Sequence, residues 1–187
     1  MTTKSRRTRQ RIVECALELF AAQGYDATTV AQVAAAAGVT EMTFYRHIGT
    51  KEQLVVGDPY DPLITAAVAR QPLGLPPLRR VTAGVRQAWH ALPVDDEAAV
   101  RSRLALASVT PSLLPAVRAS TAATERAVAD QLVADGVAAR DAVVAAAATL
   151  AALMAALLDW AGPAGAGVPL GDAVDGALDV LEAGVDR

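Results

Sequence analysis

Between residues 40 and 51 the sequence gathers side chains that can hydrogen-bond nucleic acid: Thr40, Glu41, Thr43, Tyr45, Arg46, His47 and Lys51, with Met42 among them. On a helix of 3.6 residues per turn, Phe44 falls with Val39 and Ile48 on an inward face, and the polar residues point out or flank it. A seven-residue helix does not persist alone, so its inward side must dock on other helices and leave the outer row for a partner. That row suits the major groove of DNA. Threonine and glutamate hydrogen-bond base edges, Thr43 and Met42 can touch a thymine methyl, and Arg46 can reach guanine or phosphate. Tyr45, His47 and Lys51 suit phosphate, Lys51 being expected in the first turn of a following helix where backbone N–H groups favour an anion. Any one of these residues alone reads equally well as a solvated polar side chain. The case rests on all of them together.

Other chemistry finds little support. Cys15, the single cysteine, precludes an internal disulfide or a thiolate cluster; placed between Ile12 and Leu19 on a helix, it reads as a small buried hydrophobe. His90 has no carboxylate pair at ligand spacing, so no metal site is expected. No nucleophile elbow, Walker loop or zinc-protease motif is present, and neither an enzyme nor a cofactor is expected. Gly165 and Gly167 lie in a Gly/Pro-rich stretch with no strand before it, which makes it an interhelical connection.

The elements that position these residues are all helical. Apolar residues recur at helical spacing over residues 10–23, and Gly24 closes that segment. Thr29 with Gln32 forms a capping box for a short helix reaching Ala37, and Gly38 ends it. Thr40 caps a third helix over residues 41–47, and Thr50 with Gln53 starts a fourth. Two short helices across a tight glycine turn, behind a longer one, make a helix-turn-helix. Further helices are expected over residues 62–70, 77–92, 96–108, 113–134, 141–160 and 172–183, with Pro115 pointing to a start one turn later for the fourth of these. No segment alternates like a strand.

Charge is divided along the chain. Residues 1–51 carry seven basic side chains (Lys4, Arg6, Arg7, Arg9, Arg11, Arg46, Lys51) against four acidic ones, a balance of +3 that leaves −6 for the rest of a chain with net charge −3. Five of the seven precede residue 12, and this segment is read as an arm that follows phosphate. It contains no signal-peptide core, so a cytoplasmic location is expected. The apolar run from residue 142 to residue 158 is about half Ala and is bracketed by Asp141 and Asp159 with no Lys/Arg cluster. It reads as a buried helix rather than a membrane span.

The stretch Thr29-Val30-Ala31-Gln32-Val33-Ala34, then Ala37-Gly38-Val39-Thr40-Glu41-Met42-Thr43-Phe44-Tyr45-Arg46-His47-Ile48, then Thr50-Lys51-Glu52-Gln53-Leu54, resembles the DNA-binding domain of the tetracycline-repressor (TetR) family. The resemblance covers roughly residues 8–55. It departs from the family at Met42, where glycine is common, and at Ile48, where phenylalanine is common. The resemblance implies that Thr40, Glu41, Met42, Thr43 and Tyr45 face bases, that Tyr45, His47 and Lys51 hold phosphates, and that Thr29 touches the DNA backbone.

The chain is thus expected to be all-α, with a helix-turn-helix DNA-binding domain over residues 1–50 and a helical effector-binding and dimerisation domain over residues 51–187. By resemblance, the middle helices enclose a small-molecule cavity that Trp89, Trp160, Leu106, Met154 and Leu157 can line, with Arg103, Arg101 or Arg118 meeting an acidic ligand group. The apolar helix at residues 141–160 needs cover on more than one side. The expectation is a homodimer, completed by Val174, Leu178 and Leu181, on a palindromic double-stranded operator. The leading reading is a repressor released by a small-molecule effector. An activator, a ligand-independent regulator and a helical interaction module are the alternatives.

Overall fold

The computed structural model describes residues 3–57, 61–91 and 97–184. Among them are ten α-helices and no strand: α1 (Thr3–Gln23), α2 (Val30–Ala36), α3 (Glu41–His47), α4 (Gln53–Val56), α5 (Asp61–Ala69), α6 (Pro77–His90), α7 (Glu97–Val109), α8 (Leu114–Ala134), α9 (Ala139–Ala161) and α10 (Leu170–Ala183). The all-α expectation holds, and the differences are at helix ends. The largest is a correction: the basic segment expected as an arm is helical from Thr3 onward. Lys, Arg and Gln are good helix formers, and no Gly or Pro precedes Gly24 to stop the helix propagating toward the N-terminus. Pro115 is the second residue of α8, a first-turn position where its missing N–H breaks no helical bond, so the helix is not delayed. The helix ends expected at Leu92 and Asp96 lie outside the described residues.

The chain forms two compact units. The first comprises Met1–Asp58 and Leu106–Val117. Its core joins Ile12, Ala16 and Phe20 of α1, Val33 and Ala34 of α2, and Phe44 of α3 with Ile48. It extends past residue 50, because Leu54 and Val55 of α4 are buried in the same cluster. It also takes in residues from far along the chain: Leu113 is fully buried there with Ala107, and Ser112 Oγ donates to Asp26 Oδ1 at 2.7 Å.

The second unit comprises Pro59–Ala105 and Arg118–Arg187. Here α6 packs against α5, α9 and α10. Its crossing with α5 depends on Gly84, where a Cβ would lie 2.7 Å from Val68 Cα and 2.8 Å from Val68 N. Polar ties fix the other neighbours. Arg86 donates to Asp175 at 2.7 Å and Asp179 at 2.8 Å on α10, and His90 Nε2 lies 3.0 Å from Asp175. In the turn just after α8, Asp135 accepts from Gln131 of that helix at 2.9 Å and from the buried Arg80 of α6, and these two hydrogen bonds hold its carboxyl below the usual aspartate range.

By length and composition α9 could cross a membrane, yet Ala142, Ala145, Ala146, Thr149, Leu150, Leu153, Leu157 and Trp160 are buried in the core of this unit. Val174 and Leu178 of α10 are also fully buried inside the subunit. This corrects their expected place in a seam between copies, since a helical wheel gives the apolar face but not what covers it. Exposed apolar residues on these two helices include Val143, Val144, Ala151, Ala155 and Leu158 on α9 and Val180 on α10.

Candidate nucleic-acid interface

The short helices of the first unit are fixed by their ends. Thr29 Oγ1 accepts from Gln32 N at 3.2 Å while Gln32 Oε1 accepts from Thr29 N at 2.8 Å, so the capping box starting α2 is formed. At its other end Val39 N donates to Ala34 O at 2.9 Å and Gly38 N to Ala35 O at 3.0 Å, the paired bonds of a Schellman turn. Gly38 adopts φ +61°, a left-handed conformation that costs a residue with a Cβ about 1–2 kcal/mol. Thr40 then caps α3 by accepting from Thr43 N at 3.2 Å, and its hydroxyl also lies 3.0 Å from that of Thr43. The turn spans four residues, and so the direction of α3 is set by α2.

Phe44 is fully buried and Ile48 nearly so, which docks α3 on the core, while Val39 is half-buried. Outward stand Thr40, Glu41, Met42, Tyr45 and Arg46, all exposed, with Thr43 and His47 half-buried at the edges of the row. Met42 is 75% exposed and Tyr45 50%, an unusual outlay for an apolar and an aromatic side chain in an isolated subunit. Tyr45 stands edge-on to Phe44 with ring centroids 5.5 Å apart. Thr29, exposed at the head of α2, completes the set.

Lys51 is placed differently from expectation. It precedes α4, whose first helical residue is Gln53, although Thr50 and Gln53 do exchange the reciprocal bonds of a capping box, at 3.2 Å and 3.4 Å. Its Nζ donates to the carbonyls of Tyr25 and Thr28, each at 3.0 Å, and stands 4.1 Å from the centre of the Tyr25 ring. Two of its three donors therefore hold the connection between α1 and α2, and one is left for a phosphate. Burial, then the neighbouring Glu52 and Asp26, pushes the Tyr25 phenol well up. The Glu52 carboxyl is held low by its own backbone N–H and the Thr50 hydroxyl.

Two residues of α1 meet the end of α3: Ser5, which the sequence did not single out, and Arg9, which it gave only as part of a phosphate-following arm. Arg9 Nη1 donates to His47 O at 2.6 Å, and Ser5 Oγ lies 3.5 Å from His47 Nδ1. Contacts across 38 and 42 positions leave no local pattern from which to find them.

The expected effector-pocket residues are not all brought together. Trp89 and Leu157 are buried in the core of the second unit, and Arg103 and Met154 are half-buried. Leu106 instead packs against the core of the first unit. Arg101 is engaged by its own fold: its guanidinium stacks 3.8 Å from the Trp160 ring centre and donates to the carbonyls of Trp160 and Gly165. Arg118 is exposed and Cys15 is half-buried. A cleft of about 470 Å³ opens beside α6 and α10, lined by Leu75, Arg79, Ala83, Arg86, Gln87, His90 and Glu182, none of which was expected to line a pocket.

Comparison with known proteins matches residues 12–56 to the family described as bacterial regulatory proteins, tetR family, and residues 75–186 to the MftR C-terminal domain. Over 85 residues the chain is 41% identical to the HTH-type transcriptional regulator TcmR of Streptomyces glaucescens, a match spanning 44% of this chain and 38% of that one. Among solved structures it is similar to NalD, the secondary repressor of the MexAB-OprM multidrug efflux pump in Pseudomonas aeruginosa, with TM-score 0.58, 23% identity and 98% of both chains covered. It is also similar to Thermus thermophilus FadR in complex with lauroyl-CoA, with TM-score 0.51, 22% identity and 93% of both chains covered.

Proposed function

Because the chain belongs to the TetR family of bacterial transcription regulators, we propose that it is a repressor that binds a palindromic operator as a homodimer and leaves it when a small-molecule effector binds. The observation that carries this reading is the exposed row Thr40, Glu41, Met42, Tyr45 and Arg46 on a helix docked by Phe44 and capped at its start by Thr40. In the major groove Thr40, Glu41 and Thr43 meet base edges, Met42 lies against a thymine methyl, and Arg46 reaches guanine or phosphate. Tyr45, His47, the remaining donor of Lys51 and, from α2, Thr29 hold the DNA backbone and fix the register. Met42 widens the approach of α3 to the bases.

For the homodimer, the support is the uncovered apolar row on α9, where Val144, Ala151, Ala155 and Leu158 recur at spacings of seven, four and three. A second copy presenting the same row covers it under twofold symmetry. That symmetry places two recognition helices one DNA turn, or a multiple of about 34 Å, apart. A small-molecule effector is supported by the Thermus thermophilus FadR structure, a TetR-family repressor in complex with lauroyl-CoA. In this chain Trp89, Arg103, Met154 and Leu157 are the proposed lining. The protein acts in the cytoplasm, where its operator is, and its role is regulation rather than catalysis.

The test is a gel shift with the DNA upstream of the protein's own gene at physiological salt. Retention of that fragment over scrambled DNA supports the reading, and equal retention of both rejects it.

A further inference from the structure

A helix leaves its last carbonyls without partners in the helix, and α3, seven residues long, has little else to stabilise that end. Its final turn is closed by Ile48 N donating to Phe44 O at 2.8 Å and Gly49 N donating to Tyr45 O at 3.0 Å. The carbonyl of His47 accepts instead from Arg9 Nη1 at 2.6 Å. A guanidinium at this position meets both a lone acceptor and the negative end of the helix dipole. One turn earlier on the same face of α1, Ser5 Oγ lies 3.5 Å from His47 Nδ1, so α1 meets both the main chain and the ring of the last recognition-helix residue. Arg9 is half-buried, whereas Arg6, Arg7 and Arg11 are exposed.

We propose that Arg9 is a positioning residue of the DNA-reading helix: it clamps the C-terminal end of α3 to α1 and so contributes to base discrimination without touching a base. The first turns of α1 thereby divide their work. Arg6, Arg7 and Arg11 supply sequence-independent attraction to phosphate, and Arg9 sets the pitch at which Thr43 and Arg46 enter the groove. The proposal rests on the DNA-binding reading above.

The experiment compares the full-length unsubstituted protein with Arg9→Ala, Arg9→Lys and Arg7→Ala. One measurement is amide hydrogen exchange without DNA. In Arg9→Ala the amides of Ile48 and Gly49 should exchange about tenfold faster, the equivalent of one lost charged hydrogen bond, while those of α2 stay unchanged. The second measurement is affinity for the selected operator and its single-base variants across a salt series. Arg9→Ala should reduce discrimination about tenfold with an unchanged salt slope, and Arg9→Lys, which still reaches the carbonyl, should restore part of it. Arg7→Ala should lower affinity equally for every sequence and reduce the slope by about one. The same uniform loss in Arg9→Ala would make Arg9 a phosphate contact and overturn the proposal, as would unchanged exchange at Ile48 and Gly49. If the unsubstituted protein selects no sequence, the DNA-binding reading itself fails, and faster exchange in Arg9→Ala then shows a clamp with no role in DNA reading.

Discussion

Lys51 illustrates how one residue can serve the fold and the partner at once. Its ammonium spans two carbonyls of the α1–α2 connection and faces the Tyr25 ring, so removing it frees two acceptors and exposes an aromatic face. Lys51→Met, which keeps the aliphatic stem, should destabilise the protein by about 1–3 kcal/mol, as expected for hydrogen bonds from a charged donor. Urea denaturation measures this directly. A fully stable variant with weakened DNA affinity would instead make phosphate binding the whole role of this side chain. The sequence made the polar row of α3 legible because base and phosphate chemistry depends on residue type, and type is what a sequence states. It did not reveal that Lys51 and Arg9 are partly engaged internally. Their carbonyl partners are 23 to 38 positions away, and a backbone carbonyl is the same in every residue.

At the scale of elements, the helix-turn-helix was readable almost to the residue. Its boundaries are set by local chemistry: Thr29 with Gln32, Gly38 at positive φ, and Thr40 all act within four positions. The start of α1 is not legible in the sequence because a run of arginines suits a helix as well as an arm, and the contacts of Ser5 and Arg9 with His47 come from far along the chain. In the second unit the close crossing of α5 and α6 is set by Gly84. Gly84→Ala would push a methyl into Val68 backbone atoms and should cost about 1–3 kcal/mol, seen as a lower Tm, despite the better helix propensity of alanine. The tie between α6 and the turn that follows α8 carries a pH signature. Because the Asp135 carboxyl is lowered in the folded state, its stabilisation is complete above the ordinary aspartate value of about 3.9 and is lost as pH falls through the lowered one. Asp135→Asn should therefore lower the urea midpoint at neutral pH, and the gap from the unsubstituted protein should narrow below about pH 4.

For the whole molecule, the proposed dimer can be tested without disturbing the subunit. Leu178 is unsuitable, since a glutamate there would unfold the core that buries it. Ala151 is exposed on the uncovered row of α9, so Ala151→Glu should leave the thermal transition of a single subunit intact while shifting sedimentation at micromolar concentration from dimer to monomer. A monomeric unsubstituted protein would remove the basis for a palindromic operator. The reach of the first unit into residues 106–117 bears on modularity. A head defined by one continuous stretch of chain could be exchanged among regulators by a single recombination event. This one takes Leu113 and Ala107 into its core and Ser112 onto Asp26, so its head is encoded in two pieces of the gene. Hybrids built by joining residues 1–58 to a foreign rear half would inherit a core lacking part of its filling. Working chimeras must carry the second piece with the first, which ties the evolution of DNA specificity to that of the helices behind it.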